Sequence, residues 1–152
     1  MKLLLLLFFS LSMAPLHTAT AQLKKPVVNN NPKPAIYQVE VSFTSMCCGT
    51  APTDFLHLFV DSFNKKNKVQ LDAWQWGGCG KEGENIVLFS TTNLKKKQEK
   101  KFLNAIKTLI PQQNEKNKKI NASMGEINID YDVAAATINN CRGNLISFYR
   151  TE

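Results

Sequence analysis

The 152-residue chain has few of the side chains from which most catalytic sites are built. It contains only two histidines and four cysteines, and no Cys-x-x-Cys pair or histidine-rich tract. It also lacks a combination of serine, histidine and aspartate that would indicate a nucleophilic triad, and no paired carboxylates follow a predicted strand. There is no internal repeat. These absences weigh against a hydrolase and favour a binding protein over an enzyme.

Long apolar runs are also missing, except at the N-terminus. Lys2 precedes an apolar stretch that begins at Leu3 and ends near Met13, and the small residues Ala19-Thr20-Ala21 follow. This pattern predicts a signal peptide over residues 1–21, cleaved before Gln22. The stretch is shorter than the roughly 20 residues that a membrane span requires. We therefore expect a secreted or periplasmic protein without a transmembrane segment; an uncleaved N-terminal anchor is the alternative.

Acidic residues are fewer than basic ones, 12 against 19, and the formal net charge is +7. Loss of residues 1–21 would remove only Lys2 from this balance. The excess suits either ordinary solubility or contact with an anionic surface. A nucleic-acid partner is disfavoured, because aromatic residues do not alternate with the basic ones.

The mature chain divides into a polar segment and one domain. Residues 22–35 carry Pro26, Pro32, Pro34 and three successive asparagines with no periodic apolar face, which predicts a flexible linker. Residues 36–152 are long enough for a single domain with a hydrophobic core.

Within that domain, apolar residues repeat with the period of a strand in some stretches and with the period of a helix in others. Period-two patterns predict strands near residues 37–43, 69–74, 86–90 and 127–133. Helical spacing predicts helices over residues 55–63 and 94–110, the second ending before Pro111, with a polar loop over residues 112–121. Residues 145–149 predict a further strand.

The resulting order of elements is strand, helix, strand, strand, helix, strand. This order predicts an α+β domain of the ferredoxin-like βαββαβ type, an antiparallel sheet with two helices on one face and a C-terminal strand or hairpin extension. The alternative is an α+β arrangement in which the C-terminal strands form a hairpin of their own. Trp74 and Trp76 lie on one face of the second strand, where we expect them to be part of the core.

The cysteines carry most of the functional information, and each lies in a predicted turn. They are Cys47, Cys48, Cys79 and Cys141. An even number of cysteines in an exported protein favours disulfides. We expect Cys47 and Cys48 to be joined to Cys79 and Cys141, in either combination, because a bond between adjacent cysteines closes a strained ring. The loop edge, defined as residues 46–49 and 77–84, is then the predicted interaction site for an unknown partner protein.

Two other uses of these sulfur atoms are open. Met46, Cys47, Cys48 and Cys79 could supply soft ligands to copper or zinc, although no cofactor is the first expectation. A cysteine before the first helix could instead carry out thiol redox chemistry, because the positive end of a helix lowers a thiol pKa. His57 lies within that helix, and we expect it on the solvent side.

Two further patterns are weaker. The glycine-rich segment around Lys81 is not a phosphate loop, because no serine or threonine follows the lysine and a strand follows the segment. Five lysines crowd the start of the second predicted helix and form either a solvated face or a polyanion contact; they are Lys95, Lys96, Lys97, Lys100 and Lys101.

Overall fold

A computed structural model describes residues 34–138 and 141–149. It is a mixed α+β structure with two helices and one five-stranded antiparallel sheet. The strands are β1 (Ile36–Phe43), β2 (Asp72–Gly77), β3 (Asn85–Ser90), β4 (Ile127–Ala134) and β5 (Leu145–Ser147), and the helices are α1 (Asp54–Asn67) and α2 (Lys96–Ile120). The signal peptide and most of the linker predicted above lie outside the described residues.

The strands lie in the order β4-β1-β3-β2-β5, with every pairing antiparallel. The predicted order of the first six elements is confirmed. The fifth strand pairs with β2 and not with β4, so the C-terminal strands do not form a hairpin of their own. Neither helix in the described part of the chain is long and apolar enough to cross a membrane.

The main core lies between the sheet and the two helices. Side chains alternate across β1, so Val39, Val41 and Phe43 all point to the helices. Phe102 of α2 is fully buried; it stacks on Phe59 of α1 and makes edge-to-face contacts with Phe63 of α1 and Phe89 of β3. Aromatic pairs of this kind add about 1 kcal/mol each beyond the area that they bury.

Helix α2 continues past Pro111 to Ile120, so the predicted loop over residues 112–121 is wrong. A proline inside a helix removes one backbone hydrogen bond and costs about 3 kcal/mol. The side chain of Asn114 compensates for part of this cost. Its Nδ2 donates to the Ile127 carbonyl oxygen at 2.8 Å, and its Oδ1 accepts from the Ile127 N–H at 3.0 Å. Two hydrogen bonds thus attach the last turns of α2 to the start of β4.

A second polar side chain attaches α1 to the C-terminal residues. The Asn64 Oδ1 accepts from the Leu71 N–H at 3.0 Å, and its Nδ2 donates to the Tyr149 hydroxyl oxygen at 3.1 Å. Tyr149 in turn donates its hydroxyl hydrogen to the Leu71 carbonyl oxygen. Burial raises the pKa of Tyr149 to about 12, the carboxylates of Asp72 and Asp61 add to the rise, and the Asn64 hydrogen bond opposes it.

We predict that Asn114→Ala unfolds the last turns of α2. The substitution leaves the N–H and carbonyl of Ile127 without their partners, which costs about 1–3 kcal/mol. Circular dichroism should show a loss of helix, and amide exchange should quicken in residues 112–120. Asn104→Ala, at an exposed position of the same helix, is the matched control. An equal loss of helix in the two variants would contradict the role given to the Asn114 side chain.

We also predict that Tyr149→Phe changes the alkaline stability of the protein. A tyrosine pKa that is raised in the folded state contributes stability below pH 10, its ordinary value, and this contribution is lost as the pH rises toward about 12. The free-energy difference between the native protein and the variant, from urea unfolding, should therefore shrink between pH 9 and pH 11. A free-energy difference that stays constant over that range would show that the Tyr149 hydroxyl has the same pKa in the folded and unfolded states.

Candidate functional site

The sheet has a second face, opposite the helices, and the C-terminal segment covers part of it. We define the second face by the side chains that alternate with the main core, among them Trp74, Ile86 and Leu88. The C-terminal segment, residues 135–138 and 141–147, adds Ile138 and Leu145 to the apolar cluster there. Trp74 is only 3% exposed beneath it. The prediction that Trp74 belongs to the core is confirmed, but its core is not the one that the helices cover.

A disulfide between Cys79 and Cys141 fastens this segment to the β2–β3 hairpin. The expected pairing of Cys47 and Cys48 with these two cysteines is therefore wrong. The physical reason is the pairing of β5 with β2, which carries the C-terminal segment to the hairpin. Sequence reasoning had no means of placing Cys141, because the partner of a three-residue strand depends on tertiary contacts.

Backbone contacts around the disulfide are unusually close. The Gly143 N–H donates to the Gly77 carbonyl oxygen at 3.1 Å, and the Arg142 N–H donates to the Gly78 carbonyl oxygen at 3.0 Å. A Cβ atom at Gly143 would lie 2.7 Å from the Gly77 oxygen, so only glycine permits this approach. The Trp76 Nε1 adds a third bond by donating to the Gly143 carbonyl oxygen at 2.6 Å.

The predicted loop edge is brought together through a carboxylate. The Ser45 hydroxyl donates to Oε2 of Glu82 at 2.6 Å, and the Gly49 N–H donates to the same oxygen at 3.4 Å. Glu82 thereby joins the β1–α1 loop to the β2–β3 hairpin. Sequence reasoning missed Glu82, because an exposed glutamate among glycines has no distinguishing pattern.

Cys47 and Cys48 remain free thiols and are both exposed. Their Sγ atoms lie 2.6 Å apart, in hydrogen-bonding contact. The hydrogen bond between the Cys47 and Cys48 thiols raises the pKa of the Cys47 thiol, and desolvation and the negative charges of Cys48 and Glu82 act in the same direction. Met46 next to them is 70% exposed. Because Cys79 is bonded to Cys141, a metal site that uses all four predicted ligands requires the reduced protein.

A groove of about 840 Å³ runs along the second face from the loop edge. Thr44, Ser45 and Cys79 line one end, and Ile138 and Cys141 of the C-terminal segment form part of the wall. Four of the chain's twelve acidic residues line it, and no lysine or arginine is among the described residues of its lining; the acidic residues are Glu40, Glu84, Asp130 and Asp132.

Two of these carboxylates stand directly opposite each other. Glu40 of β1 is paired in register with Asp130 of β4, and like charges at such positions destabilise a sheet. Burial raises the pKa of Glu40, and the charge of Asp130 raises it further. Tyr131 also lines the groove, but its register opposite Val39 places its ring on the helix-covered side of the sheet. The paired carboxylates therefore give the groove the chemistry to accept a cation. The sequence marks Glu40 and Asp130 only as polar positions of two strands.

The five lysines near the start of α2 and His57 do not line the groove. The lysines at positions 95, 96, 97, 100 and 101 are all exposed. They follow the end of β3 that is farther from the hairpin, at the opposite end of the sheet from the loop edge. The ring of His57 stacks on that of Phe148, with 3.9 Å between ring centroids. The expectation of a solvent-facing His57 is therefore wrong, because β5 places Phe148 against α1.

We predict that Cys79→Ser/Cys141→Ser destabilises the protein strongly. The two cysteines are 62 positions apart, and closing such a loop contributes about 4 kcal/mol in the chain-entropy model. Urea unfolding should report a loss of about 2–4 kcal/mol. Cys47→Ser/Cys48→Ser is the matched control and should change stability by less than about 0.5 kcal/mol, because both side chains are exposed. A similar loss in both variants would refute the structural role of the disulfide.

Neither a metal cluster nor a related protein indicates the function of this site. Within residues 34–138 and 141–149, no group of three or more histidine, cysteine, aspartate or glutamate side chains is arranged to hold a metal ion. Comparison of the chain with protein families, curated proteins and solved structures finds no match.

Proposed function

We propose that this chain is an exported binding domain of ferredoxin-like fold, which takes a positively charged segment of a partner protein into the groove on its second face. The loop edge forms one end of that groove, so the interaction site expected from the sequence becomes part of a longer surface. The observation that supports this proposal most directly is the lining of the groove, which among the described residues contains four carboxylates and no lysine or arginine.

The fold proposal is supported by strand order. In the arrangement β4-β1-β3-β2, each of the two helices connects a pair of strands that have one other strand between them. A ferredoxin-like sandwich of split βαβ topology has helix connections of this kind, which supports the proposed fold. Strand β5 is an addition at the β2 edge.

Export is supported by the predicted signal peptide and by the disulfide. A bond between Cys79 and Cys141 is compatible with an oxidising compartment, since cytosolic proteins rarely keep structural disulfides. The same bond holds the wall of the groove, so the proposed binding surface depends on oxidation.

The cationic partner is supported by an unfavourable interaction in the free protein. Glu40 and Asp130 repel each other across β1 and β4, and burial of Glu40 strengthens the repulsion. A lysine or arginine side chain placed between them would relieve it, because both carboxylates could then pair with one positive charge. The groove volume suits several residues of an extended peptide.

The runner-up function uses the same loop edge for metal binding or thiol redox chemistry, with copper or zinc as the candidate metals. Its ligands would be Met46, Cys47 and Cys48, joined by Cys79 only after reduction. Elemental analysis of the secreted protein separates peptide binding from metal binding, whereas the two exposed thiols are present in either case. Bound zinc or copper at one equivalent would replace the peptide-binding proposal.

We predict that the mature protein binds a lysine-rich peptide more tightly than a neutral or acidic peptide of equal length. Glu40→Gln/Asp130→Asn should weaken that binding about 10-fold, since each lost charge pair contributes up to about 1 kcal/mol. Affinity should fall with added salt, and also as the pH falls through the raised pKa of Glu40, because its protonation removes the charge. Fluorescence polarisation of labelled peptides measures all three effects.

The control variant changes charge away from the groove. Lys96→Gln/Lys97→Gln alters two exposed lysines of α2 and should leave peptide affinity within about 2-fold, since neither lysine lines the groove and salt screens charges outside it. Binding that is equal for all peptides, or unchanged in Glu40→Gln/Asp130→Asn, would refute the proposal. The same lysine variant tests the polyanion contact through its retention on heparin.

A further inference from the structure

The adjacent cysteines of the β1–α1 loop have no intramolecular sulfur partner except each other. The chain has four cysteines, and the Cys79–Cys141 disulfide occupies two of them. Cys47 and Cys48 are exposed, and their Sγ atoms are 2.6 Å apart. A disulfide bond measures about 2.05 Å, so a small rotation of the side chains brings the two sulfurs to bonding distance.

The loop around the pair is held on both sides. Ser45 and Gly49 flank the cysteines, and both donate hydrogen bonds to Oε2 of Glu82. Gly49 has a φ of +96°, a conformation that side-chain-bearing residues rarely adopt, so the chain turns sharply directly after Cys48. The two thiols therefore project together from an anchored turn, where a small molecule can reach them.

We propose that Cys47 and Cys48 form a reversible vicinal disulfide, which exchanges two electrons with a small thiol–disulfide couple of the glutathione type. This inference goes beyond the proposed binding function and does not depend on it. The groove needs the Cys79–Cys141 bond to be closed, whereas the redox pair needs only the loop.

The exchange balances as two successive displacements. A thiolate of the pair attacks one sulfur of the small disulfide, forms a mixed disulfide and expels one small thiolate. The neighbouring cysteine then gives up its proton and attacks the protein sulfur of the mixed disulfide, which expels the second small thiolate. Two protein thiols are oxidised and one small disulfide is reduced to two thiols; the two protons from the cysteines end on the released thiolates.

Chain geometry makes the oxidised pair easy to reduce. A disulfide between adjacent cysteines closes a small ring that includes a planar peptide bond, and this ring is strained. Strained and exposed disulfides have the less reducing potentials that characterise exchangeable pairs. The hydrogen bond between the two thiols keeps the pKa of Cys47 above its ordinary value, so one member stays protonated until the other has reacted.

The test is a titration of the mature chain in glutathione buffers of graded ratio, with free thiols trapped by N-ethylmaleimide. Trypsin separates the pair from Cys79 and Cys141, because Lys65, Lys68 and Lys119 lie between them. Mass spectrometry should find the Cys47–Cys48 peptide unlabelled and two hydrogens lighter in oxidising buffer. Half of the Cys47–Cys48 disulfide should be reduced at a ratio of reduced to oxidised glutathione that is lower, by about 10-fold or more, than the ratio that half-reduces Cys79–Cys141.

Single variants separate ring closure from simple reactivity. Cys47→Ser and Cys48→Ser should each accumulate a stable mixed disulfide with glutathione, because the second displacement has no thiol to perform it. The proposal is overturned if Cys47 and Cys48 stay alkylatable at every ratio, if each carries its own glutathione, or if they link two chains. Peptide binding is measured on the samples in which Cys79–Cys141 is still oxidised, where loss of either result leaves the other unaffected.

Discussion

The bond between Cys79 and Cys141 is the constraint on which the second face of this protein depends. The helix-covered core is packed from several interlocking phenylalanines and contains no cysteine among its described residues. The C-terminal segment, by contrast, pairs through a strand of only three residues, β5. A short edge strand contributes few hydrogen bonds, so the disulfide and the close approach of Gly143 to Gly77 hold the segment over Trp74. Without them, the apolar cluster of the second face would lose its cover.

Charged side chains are distributed unevenly over the protein. The chain is basic overall, yet the carboxylates of Glu40, Glu84, Asp130 and Asp132 converge on one groove. The lysines at the start of α2 lie at the other end of the sheet. Two regions of opposite sign on one small domain give it an electrical polarity, and an uneven field of this kind orients charged molecules as they approach a protein.

Much of the fold could be predicted from periodicity, because apolar alternation and helical stripes report which face of an element is buried. The errors arose where a single side chain or a distant contact decides the structure. Pro111 predicts the end of a helix, but Asn114 bonds to Ile127 and the helix continues. The same limit applies to the site: alternation identifies Glu40 and Asp130 as polar positions, whereas their register across β1 and β4 is a tertiary property.

The placement of aromatic residues gives the two faces of the sheet different optical properties. Both tryptophans of the chain, Trp74 and Trp76, belong to the second face, and the helix-covered core contains phenylalanine in their place. Tryptophan fluorescence therefore reports on the second face and on the C-terminal segment that the disulfide holds there. Far-ultraviolet circular dichroism reports mainly on α1 and α2. If the two faces come apart in separate steps, these two signals will not coincide during unfolding, and a single transition will not describe the molecule.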